Sequence, residues 1–180
     1  MTLPPARLDA YREALRAYGL TPGQPYRVLA VLTTGLPGEA IEVAVLREDG
    51  SAFVRRAFPS VEVEVGAARV HGLDRSGLLG EAPLAEWREA LLAELRGFTV
   101  RAWAAAFALQ ALNAALAAGG AEPIQGTVTG VQDLLERAYP DEPRPALRAV
   151  CLQLQVPVPD GRSALGTAQA TRAVVDALLS

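Results

Sequence analysis

The chain has 180 residues, 51 % of them hydrophobic, which suffices to bury one substantial core and is too short for two ordinary domains. Its formal net charge of -3 argues against a broad electropositive surface of the kind that binds nucleic acid without sequence preference. The single thiol, Cys151, makes neither an internal disulfide nor a multi-cysteine metal site, and a reducing cytoplasm is expected.

The first twenty residues carry Arg and Glu through their middle instead of an apolar stretch, so they do not read as a signal peptide. Pro4 and Pro5 open an amphipathic helix in which Leu8, Tyr11, Leu15 and Tyr18 recur at helical spacing, closed by Thr21-Pro22-Gly23. Residues 1–24 are therefore expected to form an N-terminal helical extension to a domain spanning 25–180. Tyr26 to Leu32 is an apolar run followed by Thr33-Thr34-Gly35-Leu36-Pro37-Gly38, the pattern of a central strand entering a loop. Ala40 to Arg47 alternates, and the turn Glu48-Asp49-Gly50 leads into a third strand from Ser51 to Phe58. Together these make an antiparallel meander.

Beyond Val65 the character changes. Gly66 to Leu73 reads as a short helix and loop, and Pro83 to Leu95 as a helix with Leu84, Trp87, Leu91, Leu92 and Leu95 on one face. Phe98 to Trp103 is a fourth strand, followed by a helix from Phe107 to Ala118 that ends at Gly119-Gly120. The apolar stretch from Ala102 to Ala118 is interrupted by Gln110 and Asn113 and falls short of a membrane span. Pro123 to Val128 is the expected fifth strand, and helices follow at Gly130 to Tyr139, Pro145 to Gln155 and Ser163 to Leu179, with Pro157 to Gly161 as a mobile loop. The order predicts an α/β fold with a mixed sheet and helices on both faces.

Several of these segments also carry short motifs. Thr33-Thr34-Gly35-Leu36 follows the first strand, Ile41-Glu42-Val43-Ala44-Val45 forms the second, and Val70-His71-Gly72-Leu73 lies in the first short helix after the meander. Trp103-Ala104-Ala105-Ala106-Phe107-Ala108, Asp133-Leu134-Leu135, Leu147-Arg148-Ala149-Val150-Cys151 and Arg162-Ser163-Ala164-Leu165-Gly166-Thr167-Ala168 follow in order. In kind, order and spacing these resemble the DnaQ-like (DEDDh) 3'-5' exonuclease family from about Val28 to Leu179. The resemblance implies a ribonuclease H-like five-stranded sheet, three antiparallel strands and then parallel ones.

That family carries Asp-x-Glu-Thr-Thr-Gly, His-Asn-Ala-x-Phe-Asp and His-x-Ala-x-x-Asp-Ala. The chemical positions of these motifs fall here on Ala30, Leu32, Ala108, Arg162 and Thr167. Such enzymes hold two divalent cations about 3.5–4 Å apart on carboxylate oxygens, and a histidine takes the proton from water. Ala30, Leu32 and Ala108 offer no side-chain oxygen, Thr167 offers a neutral hydroxyl, and Arg162 stays protonated at any working pH. The resemblance with these replacements implies a catalytically inactive homologue with no metal and no cofactor. Its former cleft floor is expected to be apolar.

Two functional readings follow. The first is a domain acting through protein contacts, as a homodimer or with a partner, in a DNA replication or repair setting. The second is a non-cleaving module that binds single-stranded nucleic acid or nucleotide through Thr33, Thr34, Gly35, Trp103 and Arg162, with Arg101 joining Arg162 on a phosphate. Beside each stands a bland reading: Thr33-Thr34-Gly35 as a required turn, Arg162 as a solvated side chain, Trp103 as core filling. His71 reads as structural, Asp133 as a helix cap and Glu42 as edge packing.

Overall fold

The computed structural model describes residues 3–180. The described chain begins with α1 (Pro5–Ala17), followed by three strands, β1 (Arg27–Thr33), β2 (Ala40–Leu46) and β3 (Ala52–Arg56). Next come α2 (Val65–His71), two short 3-10 turns, α3 (Arg88–Leu95), β4 (Val100–Ala102) and α4 (Ala105–Ala118). β5 (Val128–Gly130), α5 (Val131–Ala138), α6 (Leu147–Leu154) and α7 (Ala164–Leu179) complete the order.

The five strands form one sheet in the order β3-β2-β1-β4-β5. β1 pairs antiparallel with β2 and β2 with β3, while β4 runs parallel to both β1 and β5. The expected mixed sheet is thus present, with helices on both faces. Alternation along β1 sends Val28, Ala30 and Leu32 into one apolar cluster with α1, α5, α6 and α7, and Leu29 into a second with α3 and α4. Leu112 and Leu116 of α4 are fully buried on the second side, each worth roughly 2 kcal/mol of burial. Tyr11 and Leu15 of α1 belong to the first cluster, so the N-terminal helix is built into the core rather than resting on its rim.

Four sequence expectations shift. β2 was expected to alternate, but all seven of its residues are buried, because it lies between two strands and beneath helices on both faces. The fifth strand lies at Val128–Gly130 instead of Pro123 to Val128. The helix expected from Pro83 to Leu95 divides into a 3-10 turn at Leu84–Trp87 and α3, with the apolar face continuous across both. The fourth strand shortens to three residues, Val100–Ala102. α7 keeps its expected start, where the Ser163 hydroxyl accepts from the Gly166 N–H at 2.9 Å and caps the helix.

Candidate functional site

The C-terminal end of β1 and the N-terminus of α7 meet on one face of the sheet. Ala30 and Leu32 share an apolar cluster there with Ala164 and Ala168 of α7, and both are nearly closed to solvent. Leu32 lies opposite Glu42 across the β1–β2 ladder. Glu42 is 4 % exposed, and its two oxygens are divided between the Ala164 N–H and Arg56 Nε, each donating at 2.9 Å. The expected edge role for Glu42 is therefore wrong. β2 is an inner strand, and the carboxylate closes the N-terminus of α7, where a negative charge complements the helix dipole.

Thr167 lies part-buried on α7, and its hydroxyl donates to the Ser163 carbonyl at 3.3 Å. Arg162 is exposed just ahead of α7 and carries no side-chain hydrogen bond among the described residues, and its N–H donates to Asp160 Oδ1 at 2.8 Å. Ala108 is buried in the cluster on the opposite face of the sheet, with α3 and α4. Trp103 is half-buried against the α7-side cluster, and its carbonyl accepts from the Gln132 N–H at 2.9 Å. The positions that the motifs single out thus divide between the two faces of the sheet.

The loop after β1 holds itself in place. Thr33 Oγ1 donates to the Gly35 carbonyl, and Thr34 Oγ1 accepts from the Glu39 N–H, both at 2.9 Å. The Thr34 carbonyl takes the Glu64 N–H at 2.8 Å, and the Glu64 carboxylate lies directly over Gly35. A Cβ on Gly35 would meet only the free end of the exposed Glu64 side chain, which can move aside, whereas a Cβ on Gly38 would come within 2.5 Å of the Gly35 backbone nitrogen, so glycine is required by close approach at Gly38. Residues 36 and 37 are joined by a cis peptide. His71 is buried beneath this loop. Its Nδ1 accepts from the Leu73 N–H at 3.1 Å, which leaves the proton on Nε2 to donate to the Thr33 carbonyl at 3.2 Å. The structural role expected of His71 is what the geometry gives.

Around the loop lies an open groove of about 340 Å³, lined by Val31, Leu32, Leu36, Ala67, Val70 and Glu64 among others. Leu36 and Val70 of its lining stand 78 and 61 % exposed. Among the described residues no three His, Cys, Asp or Glu side chains gather in a way that could hold a metal ion. Glu42 is spent as described, and the Glu39 carboxylate accepts from both the N–H and the hydroxyl of Ser60. Glu64, whose carboxylate has no hydrogen-bond partner among the described residues, is a single carboxylate at the groove, so the donor set at this end of the sheet does not fit a pair of divalent cations, which need several free carboxylate oxygens.

Solved structures with the same fold include exonucleases. Exonuclease X in complex with 5' overhanging duplex DNA matches with a TM-score of 0.65 at 16 % identity, covering 86 % of this chain and 90 % of that one. The nuclease domain of 3'hExo, a DEDDh family member bound to rAMP, matches at 0.64 and 13 % identity over 88 % of this chain and 92 % of that one. A full-length 3'-exonuclease matches at 0.64 and 13 % identity, covering 84 % of this chain and 59 % of the longer one. The chain has the exonuclease fold. At these identities the likeness is one of fold alone. No protein-family model matches the sequence, and neither does any curated protein.

Two site features had no usable signal in sequence. Arg101, on β4, is 2 % exposed, with Nε and Nη1 buried and unbonded among the described residues, and its guanidinium lies 4.7 Å from the centre of the Tyr26 ring. Burial lowers its pKa from the usual arginine value. It is therefore not beside Arg162 at a surface, and the expected joint phosphate contact is not formed. Asp133 makes no cap. It sits in the first turn of α5 and forms an ion pair with Arg144.

Proposed function

We propose that this chain is a non-catalytic domain of the exonuclease fold that works through protein contacts in a DNA replication or repair setting, docking a partner in the groove beside the end of β1. The observation that carries the reading is the groove's composition. Val31, Leu32, Leu36, Ala67 and Val70 line it, and Leu32 among them stands at a position where the related enzymes are expected to keep a metal-binding acid. Ala30 and Leu32 are packed beneath α7, and Thr167 spends its hydroxyl on its own helix. The lack of an acid–base residue and of an oxygen cage at these positions supports a domain that does not hydrolyse by the two-metal route. No helix among the described residues is long and apolar enough to cross a membrane.

A second reading, a non-cleaving single-stranded nucleic-acid or nucleotide-binding module, draws on the neighbours in fold, one in complex with duplex DNA and one bound to rAMP. Exposed Arg69 and Arg162 flank the groove residues Val70 and Gly161 in sequence. Against it stands the Glu64 carboxylate over Gly35, which repels a phosphate at the turn where such a ligand would lie. The two readings separate in one set of measurements. Labelled single-stranded DNA is titrated at low salt, and co-purification from cells is compared for the wild type and Val70→Glu. The first reading expects no binding of DNA and a partner kept by the wild type but lost by the variant. Salt-sensitive DNA binding would transfer support to the second.

A further inference from the structure

The sheet has two edges, and they are not equivalent. β5 is three residues long, whereas β3 runs five, Ala52–Arg56. The β2–β3 register fixes which way each peptide of β3 points. Val45 opposes Phe53 and Val43 opposes Arg55, while the Ala57 N–H donates to the Ile41 carbonyl at 2.9 Å and the Arg47 N–H to the Ser51 carbonyl at 2.8 Å. Antiparallel pairs alternate between bonded and unbonded, so Ser51, Phe53, Arg55 and Ala57 turn their backbone groups to β2. Ala52, Val54 and Arg56 turn theirs outward. None of these outward groups has a hydrogen-bond partner among the described residues.

An open edge of this kind is ordinarily guarded by charges that project into it. Here both neighbouring charges are drawn back onto the chain's own surface. The Arg55 guanidinium lies 5.3 Å from the centre of the Trp87 ring, and Arg56 donates to Glu42. Val54, at the middle of the strand, is 45 % exposed and apolar. The turn before β3 is acidic, with Glu48 and Asp49, and its far end is basic, with Arg55 and Arg56. A second copy running antiparallel brings each acidic turn toward the other copy's basic end, whereas a parallel one would set like charges together.

We propose that β3 is a dimerisation edge, pairing antiparallel with β3 of a second copy about a two-fold axis at Val54. In that register Val54 faces the partner's Val54 and Ala52 faces the partner's Arg56, and the two sheets become one. This surface is separate from the groove, so DNA hydrolysis by the protein would sink the groove reading and leave the dimer standing.

The test uses the full chain. Sedimentation velocity is run across dilution from high to low micromolar, and backbone amide exchange is followed by NMR at both ends of that range. The expected result is a dimer in which the amides of Ala52, Val54 and Arg56 exchange roughly tenfold or more slowly at high concentration than at low, while those of Phe53 and Arg55, bonded within the chain, hold constant. Val54→Pro removes one outward donor without touching the β2 ladder and should give a folded monomer, checked by its circular dichroism. A monomer at every concentration, or exchange at Ala52, Val54 and Arg56 that does not depend on concentration, would overturn the proposal.

Discussion

Replacing Glu42 is the sharpest probe of how this end of the sheet is held. Its side chain is 5 % exposed and serves two donors, the Ala164 N–H at 2.9 Å and Arg56 Nε at 2.9 Å. In Glu42→Ala, Arg56, which is 44 % exposed, turns back to water at little cost, while the Ala164 N–H stays buried without an acceptor. Loss of a charge-assisted hydrogen bond costs about 1.5–3 kcal/mol. The missing counter-charge at the helix N-terminus adds about 0.3–1 kcal/mol. The sum is about 2–4 kcal/mol, which for a chain of this length lowers Tm by roughly 5–15 °C. Glu42→Gln keeps one acceptor for Ala164 and should lose about half as much. Urea unfolding followed by circular dichroism reads the change as a lower midpoint at unchanged slope. A displaced metal ligand would behave otherwise. Its removal would leave the protein's stability in EDTA unaltered and abolish only a stabilisation by Mg²⁺ or Mn²⁺. A wild-type midpoint for Glu42→Ala in EDTA would refute the capping argument.

Arg101→Met removes a buried guanidinium whose Nε and Nη1 have no partner among the described residues, and is expected to leave stability unchanged or raise it by about 1–4 kcal/mol in the same urea assay. Glu94 takes paired hydrogen bonds from Arg47 and a further one from Arg27, and the Arg47 bond holds its carboxyl below the usual range. Because its folded pKa is depressed, that contribution is complete above the ordinary carboxylate pKa and is lost as pH falls through the folded value. The stability gap between wild type and Glu94→Gln, about 1–3 kcal/mol at neutral pH, should therefore hold down to about pH 5 and close below it. Cys151 is fully buried and burial raises its thiol pKa, so it should react with a thiol reagent only at the rate of global opening, and at once in denaturant.

Element order and sheet pattern were legible in the sequence because apolar runs and turn residues are local signals. What escaped it depended on partners far along the chain. Glu42 within Ile41-Glu42-Val43 reads as edge packing, and only a helix N-terminus 122 residues later makes burying it in an inner strand tolerable. Ile124 looks like the start of a strand, yet its N–H is taken by the side chain of Asn113, which docks the segment as a loop and delays β5 to Val128. Asp133 has the spacing of a cap but meets Arg144 across a loop. In the site, Thr33-Thr34-Gly35 was legible as a turn, whereas the close approach of Gly38 to the Gly35 backbone was not, since it depends on how the loop folds back on itself. Arg101 and Arg162 are the same residue type in sequence, and only the fold makes one a buried charge and the other a solvated one.

The proposed function requires that no two-metal chemistry takes place at the end of β1. Incubating purified protein with 3'-labelled single-stranded DNA in Mg²⁺ and in Mn²⁺, with an EDTA control, tests that most directly. The account predicts no release of labelled nucleotide above the control at any enzyme concentration. Release that requires the metal and scales with the protein would contradict it and place the carboxylates of a working site elsewhere on this fold.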